Sequence, residues 1–358
     1  MEISTLKQNG DAVRPWARLR AVLEAHRGER HAIAIRGYPD PDSIGSALAH
    51  AFICRHFEIE PVVLYFDDIS HQENRALVKK LDIEMVRFRP GLDLSGLDGI
   101  AFVDTQKVDV PVEIGTLPIV SVVDHHKQAD VYAEFRDVRE DSGSTCSIYA
   151  EYLMEAGDIV ERDDPDVARL ATAMAYGVRS DTDDFLLARE IDHRAAAYLN
   201  PLADRDLLLA ISKQSISPRA MEIIHRAYAN KAIVDTYLVS GVEFVRDEDR
   251  DSIGQAADYL LRREGIDTVV CYGIVNNQFV DGSLRTTSHT VDPDRFLKNL
   301  LGTDTYDVPY GGGRREKGAF KIPLGPFANC GDKDILWKMV QRTVEDLFFQ
   351  KIGINREG

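Results

Sequence analysis

Short apolar runs that alternate with helix-length segments constrain the fold of this chain most. The runs span residues 31–36, 61–66, 99–103 and 118–123, and each has the length of a buried strand. The segment between the first two runs is rich in small apolar residues and long enough for a helix, so these elements form a βαβ unit. This succession predicts an α/β fold with a doubly wound, mostly parallel sheet.

The second half of the sequence has a different pattern. After a predominantly helical stretch, strand-like runs at hairpin spacing precede a closing helix. A chain of 358 residues is long enough to bury two cores. We therefore predict an α/β domain over residues 1–190, a helical linker over residues 191–230 and a smaller α+β domain over residues 231–358.

Charge and cysteine content argue against several classes of function. A net charge of −16 at pH 7 disfavours tight binding to long duplex nucleic acid, whose phosphates are held by clustered Lys and Arg. No apolar stretch approaches the roughly 20 residues of a membrane span, and the first residues show no signal-peptide pattern. The cysteines Cys54, Cys146, Cys271 and Cys330 lack CxxC spacing. We expect a cytoplasmic protein with reduced thiols and no membrane partner.

Acidic residues follow the predicted strands where each strand ends. In chain order they are Asp40, Asp42, Asp104 and Asp124, and the last is followed directly by His125 and His126. Because the carboxyl ends of parallel strands meet at one edge of a sheet, where open α/β sheets bind ligands, we expect these side chains to converge. Asp181 follows a later predicted helix and could complete the group.

So many carboxylates at one edge would repel each other unless cations compensated their charge. Oxygen ligands with one or two imidazoles suit Mn²⁺ or Mg²⁺ better than Zn²⁺. Two ions about 3.5–4 Å apart can orient and activate a water while they screen the oxygens of a phosphoryl group. The sequence therefore predicts a site for up to two divalent cations, in which Asp40 and Asp42 serve neighbouring ions.

The same blocks resemble those of the DHH phosphoesterases, a family named for the Asp-His-His triplet found here at residues 124–126. The blocks "PDPDSIGS", "FVDTQ", "VVDHHK" and "GVRSDTDDF" occur in the family's order. The C-terminal half is similar to a DHH-associated domain, with "DGSLRTT" and "YGGGRREKGAF". The resemblance covers nearly the whole chain and is strongest to the branch of oligoribonucleases and pAp phosphatases.

The resemblance implies how two metals would be held. Asp40 and Asp104 would hold one ion. The other ion would be held by Asp42, Asp104, His125 and Asp181, so that Asp104 bridges the two. The expected cofactor is Mn²⁺, with Mg²⁺ as the alternative.

The resemblance also implies which residues contact substrate. His126 would face the substrate phosphate, and Asp124 would orient the histidine pair. The second domain would hold the far end of the substrate through Arg285, Gly311, Gly312, Gly313 and Arg314. Backbone N–H groups of glycines can cradle a phosphate without side-chain specificity.

Two arginines stand where the family usually has histidine. Arg36 opens the first block, and a guanidinium stays protonated and cannot ligate a metal. We expect either a more weakly held first metal or an Arg36 charge that takes part of its place in catalysis. Arg314 follows the glycines, where it could pair with phosphate through two hydrogen bonds.

The predicted function is hydrolysis of a phosphoester by metal-activated water. Expected substrates are short single-stranded RNA, linear dinucleotides or nucleoside phosphates such as pAp, and a homodimer is an open alternative to a monomer. A pyrophosphatase or exopolyphosphatase would share the metals. A nucleotide-binding regulator that has lost turnover is the alternative from another class, and Arg36 favours it.

Some acidic and hydroxyl residues near the same edge have a simpler interpretation. For Asp67, Asp68 and His71 we expect an ordinary N-cap and a polar first helical turn. For Ser144 and Thr145 we expect a helix cap rather than a ligand contact.

Overall fold

The computed structural model describes residues 14–69, 72–111, 114–213, 216–314 and 316–353. The chain divides into two compact units, Met1–Gln214 and Ser215–Gly358.

The first unit is built on a parallel sheet. Its strands β1 to β6 are Arg30–Ile35, Glu60–Tyr65, Val86–Arg87, Gly99–Val103, Ile119–Asp124 and Phe135–Val138. Its helices α1 to α7 are Pro15–Ala25, Pro41–His56, Gln72–Lys80, Thr145–Ala156, Pro165–Asp181, Glu190–Leu199 and Arg205–Ser212. Every strand pair in this sheet is parallel, and the order is β3-β2-β1-β4-β5-β6. The predicted doubly wound α/β fold is confirmed.

The strand order determines where a ligand can bind in this unit. The order reverses between β1 and β4, so the segments that follow these two strands lead away in opposite directions. This divergence leaves a crevice at the carboxyl ends of the strands, which is the usual ligand site of open α/β sheets. The first two acidic blocks of the sequence follow β1 and β4, and they therefore border this crevice.

Strand β1 is buried on both faces. Ile33 and Ile35 belong to the core that includes α1, α2, α4 and α5, while Ala32 and Ala34 belong to a second core on the opposite face. A strand covered on both faces has a continuous apolar sequence rather than an alternating one. This explains why the sequence shows the sheet as a set of short apolar runs.

Helices α2 and α5 approach each other closely because glycines line their contact. A Cβ added to Gly45 of α2 would lie 3.2 Å from Ala173 O of α5, and one added to Gly177 of α5 would lie 3.1 Å from Asp42 Cα of α2. The absence of these side chains lets the helices pack at short range. The packing brings Asp181, the last residue of α5, towards the first turn of α2, which carries Asp42.

The second unit has a mixed sheet. Its strands β7 to β12 are Lys231–Val234, Tyr237–Val245, Thr268–Val275, Phe279–Thr286, Gly311–Arg314 and Lys317–Pro323. Its helices α8 to α11 are Pro218–Ala229, Asp251–Leu260, Pro293–Leu301 and Lys333–Lys351. The order is β11-β12-β10-β9-β8-β7, with β8 and β9 parallel and the other pairs antiparallel.

The helices of residues 191–230 are shared between the units. Helix α6 packs on α4 and α5, and α7 packs on α3 and α5, so both belong to the first unit. Helix α8 packs on α9 and β8 in the second unit. Among the helices of the described residues, none is long and apolar enough to cross a bilayer.

Candidate metal centre

Asp40 and Asp42 lie where the loop after β1 becomes helix α2. Asp40 is the N-cap: its Oδ1 accepts a hydrogen bond of 2.9 Å from Ser43 N, while Ser43 Oγ accepts one of 3.0 Å from Asp40 N. This capping box satisfies two backbone donors at the helix start. Pro41 suits the first helical position because the N–H that it lacks would have no helical partner. The cap thereby fixes where Asp42 projects.

Asp42 is buried and is held by the start of another helix. Its Oδ2 accepts a hydrogen bond of 2.7 Å from Thr145 N, and its Oδ1 accepts one of 2.8 Å from Cys146 N. These amides lie in the first turn of α4, where free N–H groups and the helix dipole favour an anion. Ser144 is the N-cap of α4, and its side chain accepts from Ser147 N, as the sequence predicts.

Asp104 follows β4 directly and has a left-handed backbone, with φ of 57°. Aspartate tolerates this conformation better than most non-glycine residues, although it remains an uncommon one. Its Oδ1 accepts a hydrogen bond of 3.0 Å from Thr145 Oγ1. Thr145 therefore contacts two carboxylates, Asp42 through its backbone and Asp104 through its side chain. The sequence interpretation assigned Thr145 to helix capping and missed this contact.

The Asp-His-His triplet comes at the end of β5 and is ordered by Asp124. The buried Asp124 Oδ1 accepts hydrogen bonds of 2.9 Å from His125 N and 2.8 Å from His126 Nδ1. Its Oδ2 accepts one of 2.7 Å from Gln106 Nε2. Gln106 was also missed at the sequence level, although it lies only two residues after Asp104. Asp124 thus contacts both histidines of the triplet.

The hydrogen bonds of the two histidines leave their Nε2 atoms for other partners. His125 Nδ1 lies 3.3 Å from Ser142 O, so its N–H donates to that carbonyl and Nε2 is the nitrogen left for a metal ion or a proton. His126 Nδ1 donates to Asp124, and about half of its side chain is exposed.

Carboxylates surround His125 Nε2. Asp181 Oδ2 lies 3.1 Å from this atom, Asp104 Oδ1 lies 3.5 Å away and Asp42 Oδ2 lies 3.9 Å away. Nevertheless, Nε2 is buried and makes no hydrogen bond of good geometry with any of the described residues. We call the group formed by Asp40, Asp42, Asp104, His125 and Asp181 the carboxylate rim.

The carboxylate rim has excess negative charge. Burial and the charge of Asp181 raise the pKa of Asp42 to about 6. Burial and the charges of Asp42 and Asp40 raise the pKa of Asp104 well above its usual value. Burial disfavours the charged form of His125, but Asp181 and Asp42 raise its pKa to about 9. Without a cation, the site therefore retains protons that a divalent ion would displace.

Asp124 behaves differently from the carboxylates of the rim. Burial alone would raise its pKa, but hydrogen bonds from His126 and Gln106 hold the pKa below its usual value. Asp124 is therefore charged at neutral pH and fully engaged by hydrogen bonds. This suits a residue that orients its neighbours.

The donor atoms of the rim fit a divalent cation. The ligand atoms of Asp42, His125 and Asp181 lie within 4.8 Å of one another, as do those of Asp104, His125 and His126. Carboxylate oxygens with an imidazole nitrogen suit Mn²⁺ or Mg²⁺. The unpartnered Nε2 of His125 is the atom that such an ion would satisfy.

Arg36 contacts an aromatic ring next to the rim. Its guanidinium lies 4.7 Å from the centre of the Phe66 ring, and its Nη2 lies 3.4 Å from Asp109 Oδ2. Its Nε is buried and makes no hydrogen bond within the described part of the chain. One donor of Arg36 is therefore left for another partner.

Of the other polar residues noted near this edge, Asp68 forms an ion pair of 2.7 Å with Arg87. His71 lies outside the described residues.

In the second unit, Arg285 is bound to its own surroundings. Its Nε donates a hydrogen bond of 2.7 Å to Asp258 Oδ1, and its Nη1 donates to the carbonyl oxygens of Leu284 at 3.0 Å and Gly318 at 3.5 Å. Its Nη2 faces Gly254, where an added Cβ would lie 3.0 Å away. Arg285 is thus a buried, oriented guanidinium rather than a mobile one.

The three glycines form an edge strand rather than a loop. Gly311, Gly312 and Gly313 pair with β12 as part of β11. A Cβ on Gly313 would lie 2.9 Å from Pro293 Cβ, so the small residues allow helix α10 to pack on this strand. Gly313 N donates a hydrogen bond of 3.1 Å to Asp294 Oδ1.

Arg314 ends β11 and pairs with Lys317 through its backbone.

Comparison with known proteins finds a match to a protein family and a shared fold. Residues 32–178 match the DHH family, N-terminal domain. An uncharacterized protein of Methanocaldococcus jannaschii is 33% identical over 322 residues, which cover 89% of this chain and 63% of the relative. The chain thus spans less than two thirds of that relative's length.

Among solved structures, an exopolyphosphatase-related protein from Bacteroides fragilis aligns with a TM-score of 0.65 and 13% identity, covering 92% of this chain and 97% of its own. This likeness shows a shared fold. The manganese-bound exonuclease RecJ aligns over 94% of this chain and 96% of its own, with 10% identity and a TM-score of 0.46, too distant to bear on function.

Proposed function

We propose that this chain, whose residues 32–178 match the N-terminal domain of the DHH family, hydrolyses phosphoester bonds with divalent cations held by the carboxylate rim. The observation that carries the proposal is the convergence of the carboxylates of Asp42, Asp104 and Asp181 on the buried, unpartnered Nε2 of His125 at the crevice of the sheet. The proposed substrates are short single-stranded RNA, linear dinucleotides or nucleoside phosphates such as pAp.

The rim can be divided between two ions. Asp40 and Asp104 would hold one, and Asp42, Asp104, His125 and Asp181 would hold the other, with Mn²⁺ as the preferred ion. Bound there, divalent cations supply Lewis-acid charge to the phosphoryl oxygens and favour deprotonation of the attacking water. The charge of the rim supports this division, because Asp40 and Asp181 both raise the pKa of Asp42.

The chain's own residues position the substrate phosphate. His126 Nδ1 contacts Asp124 and about half of the side chain is exposed, so Nε2 is the nitrogen that we assign to a hydrogen bond with a phosphate oxygen. Such a donor stabilises charge that develops during the reaction. Asp124 holds this ring in place and is itself held by Gln106.

Arg36 would add positive charge next to the rim. Its ring contact with Phe66 and its ion pair with Asp109 hold the guanidinium in one place, while its Nε lacks a partner in the described residues. A substrate phosphate would satisfy this donor. We therefore assign Arg36 to substrate binding near the first metal rather than to metal binding.

The second unit would bind the far end of the substrate. The proposed contacts are Nη2 of Arg285, the backbone of Gly311, Gly312 and Gly313, and Arg314. The hydrogen bonds of Arg285 to Asp258 and to carbonyl oxygens support this role, because they orient the guanidinium before substrate arrives.

A second candidate is a nucleotide-binding regulator without turnover. Arg36 favours it, since the first metal loses an imidazole ligand at this position. Such a protein would bind linear dinucleotides or pAp and release no product. Turnover therefore separates the two candidates.

The test is a panel assay on purified protein. With Mn²⁺, we expect hydrolysis of pAp, short RNA or a linear dinucleotide and little release of phosphate from pyrophosphate or polyphosphate. A chelator should abolish the activity, and Mn²⁺ should restore it better than Zn²⁺. Full activity in chelator contradicts the metal mechanism. Binding of nucleotide without product identifies the regulator.

A further inference from the structure

A second group of imidazoles and carboxylates lies at the amino end of β1, whereas the carboxylate rim lies beyond its carboxyl end. The group consists of His26, Glu29 and His31, and we call it the His26 cluster. Strand β1 separates the two groups, which places them about 20 Å apart at 3.3 Å per residue. The His26 cluster is therefore not part of the rim.

A tight turn brings the three side chains together. Helix α1 ends at Ala25 with His26 as its C-cap, and Gly28 with φ of 81° reverses the chain into β1. Glu29 precedes the strand directly and His31 is its second residue, so the two are two residues apart and project from the same face. His26 Nδ1 lies 2.6 Å from Glu29 Oε2, and His31 Nε2 lies 2.9 Å from the same oxygen.

The chain makes room for the ring of His31 and directs it at the cluster. His31 is completely buried. A Cβ added to Gly99 on the neighbouring strand β4 would lie 3.2 Å from His31 Nε2, so a larger residue there would crowd the ring. His31 Nδ1 has no hydrogen-bond partner among the described residues. The polar contact of this buried imidazole is therefore made through Nε2, inside the cluster.

Glu134 completes the arrangement from another part of the chain. Its Oε2 lies 3.0 Å from His26 Nε2, the nitrogen that faces away from Glu29. A metal-binding histidine commonly donates its second N–H to a carboxylate, which fixes the tautomer and the ring orientation. Glu134 gives His26 this partner and leaves Nδ1 directed at the centre of the cluster.

Two imidazoles and one carboxylate are the donor set of many zinc sites. The ligand atoms of His26, Glu29 and His31 all lie within 4.8 Å of one another. We propose that the His26 cluster binds one Zn²⁺ or a similar transition-metal ion, with His26 Nδ1, His31 Nε2 and a Glu29 oxygen as ligands. Water would take the fourth position.

Binding there would follow a simple proton balance. In the metal-free protein the imidazole N–H groups donate to Glu29, and Zn²⁺ takes the lone pairs in their place. Each ring binds the ion as a neutral imidazole, so the proton of a neutral ring moves from the metal-binding nitrogen to the other ring nitrogen, and an imidazolium ring releases one proton to buffer. The ion would join the end of α1 to the start of β1, so we expect it to stabilise the docking of α1 on the first core.

The two sites should differ in metal preference. The His26 cluster has two nitrogen ligands and one carboxylate, whereas the rim has carboxylates and one imidazole. Nitrogen-rich sets select Zn²⁺, and oxygen-rich sets suit Mn²⁺ or Mg²⁺. Protein loaded with Mn²⁺ and then given Zn²⁺ should therefore bind one Zn²⁺ per chain at the cluster, in addition to any Zn²⁺ that displaces Mn²⁺ from the rim.

The test measures bound Zn²⁺ and Mn²⁺ by elemental analysis after gel filtration, and Zn²⁺ affinity by calorimetry, for unaltered protein and variants. His26→Gln and Glu29→Gln remove ligands, and we expect Zn²⁺ affinity to fall more than the ten- to hundredfold typical of a lost outer partner. Glu134→Gln removes such an outer partner, and its Zn²⁺ affinity should fall by ten- to a hundredfold. His56→Gln, an exposed histidine at the end of α2, is the matched control.

A second measurement does not depend on any variant. Co²⁺ in place of Zn²⁺ should give the intense visible absorption of a four-coordinate, nitrogen-ligated ion, which an octahedral oxygen site does not give. The proposal is overturned if unaltered protein binds no Zn²⁺ beyond what exchanges with Mn²⁺, if its Co²⁺ spectrum is that of an octahedral site, or if His26→Gln and Glu29→Gln bind Zn²⁺ as tightly as unaltered protein. The cluster is then a hydrogen-bonded support for α1 alone.

Discussion

The carboxylate rim and a region of the second unit differ in how their polar groups are satisfied. We call the second one the arginine–glycine region; it consists of Arg285, Gly311, Gly312, Gly313 and Arg314. In the rim, Asp42, Asp104 and Asp181 surround a histidine nitrogen that makes no hydrogen bond to the described residues. In the second unit, Arg285 is paired with Asp258 and with backbone carbonyls. The first region has unmet charge, and the second is largely satisfied by its own residues.

This difference shows which region depends on an added ligand. Buried like charges are costly unless a cation compensates them, so the rim is stable only with protons or metal ions. The arginine–glycine region needs no ligand for its stability, because Arg285 is paired with Asp258 and Gly313 N already donates to Asp294. We therefore expect changes in the rim to alter catalysis and metal-linked stability, and changes in the second unit to alter substrate affinity.

The largest effect should come from Asp104→Asn. Asp104 is proposed to bridge both ions, so kcat should fall by at least the roughly 10²–10³-fold seen when one preorganised electrostatic group is removed. The same change removes one of the repelling charges, so the metal-free variant should unfold at a higher temperature than metal-free unaltered protein. Steady-state kinetics with Mn²⁺ and thermal unfolding in chelator measure the two outcomes.

Asp163→Asn is the matched control for this prediction. Asp163 is an exposed carboxylate in the turn before α5, outside the rim. Its loss should leave kcat within a fewfold of the unaltered value. A near-normal rate for Asp104→Asn would remove Asp104 from the site.

Metal-linked stability should depend on pH. The pKa of Asp42 is raised to about 6 in the metal-free protein, so its stabilising contribution is complete below its unfolded-state pKa and is lost as pH rises through about 6. The pKa of His125 is raised to about 9, so the free energy of unfolding falls further between about pH 6.5 and 9 as the folded protein loses this proton.

Saturating Mn²⁺ should therefore raise the unfolding temperature more at pH 7.5 than at pH 5, because it replaces the protons lost between these values. Calorimetric scans at both pH values measure the difference. Asp181→Asn removes a neighbouring charge that raises the pKa of Asp42, so the metal-free variant should lose less stability with rising pH. Equal Mn²⁺ effects at both pH values would show that the rim charges are not compensated by the ion.

Changes in the second unit should act on KM. A hydrogen bond to a charged group is worth about 1.5–3 kcal/mol, and 1.4 kcal/mol is tenfold in affinity. Arg285→Ala and Arg314→Ala should each raise KM for a linear dinucleotide by roughly ten- to a hundredfold, with little change in kcat. Bound Mn²⁺ should be unchanged by both.

Asp258→Asn sharpens this prediction. It keeps Arg285 but weakens the ion pair that orients the guanidinium, so KM should rise less than in Arg285→Ala. Loss of Mn²⁺ from any of these variants would contradict the separation of tasks between the two regions. Unchanged KM in both arginine variants would exclude the proposed clamp.

The smallest effect should come from Arg36→His. An imidazole at this position restores a possible ligand for the first ion, so Mn²⁺ affinity at the weaker site should rise by about tenfold. The change also removes the contact with Phe66, which is worth about 1 kcal/mol. Metal titration by calorimetry measures it. Two tightly bound ions in the unaltered protein would show that the first site needs no ligand from residue 36.

Much of the rim could be predicted from the sequence because its residues follow strands. The apolar runs show where β1, β4 and β5 end, and parallel strands bring these ends to one edge. The structure of Gly311, Gly312 and Gly313 was harder to predict. These three residues suggest a loop by composition, and only pairing with β12 and packing of α10 make them a strand.

The sequence by itself determined the α/β fold and the positions of Asp40, Asp42, Asp104 and His125 after strand ends, since strand length and residue order are local properties. The packing of α2 on α5 brought Asp181 towards them. The tertiary structure decided how each side chain is held. The amide of Thr145 reaches Asp42 across 103 residues, and Tyr176 and Glu73 are joined over the same separation. The direction of Arg36 towards Phe66 and of Arg285 towards Asp258 also depends on neighbours that are distant in the chain. Local periodicity carries no information on such contacts, because they arise only when the helices and strands pack together.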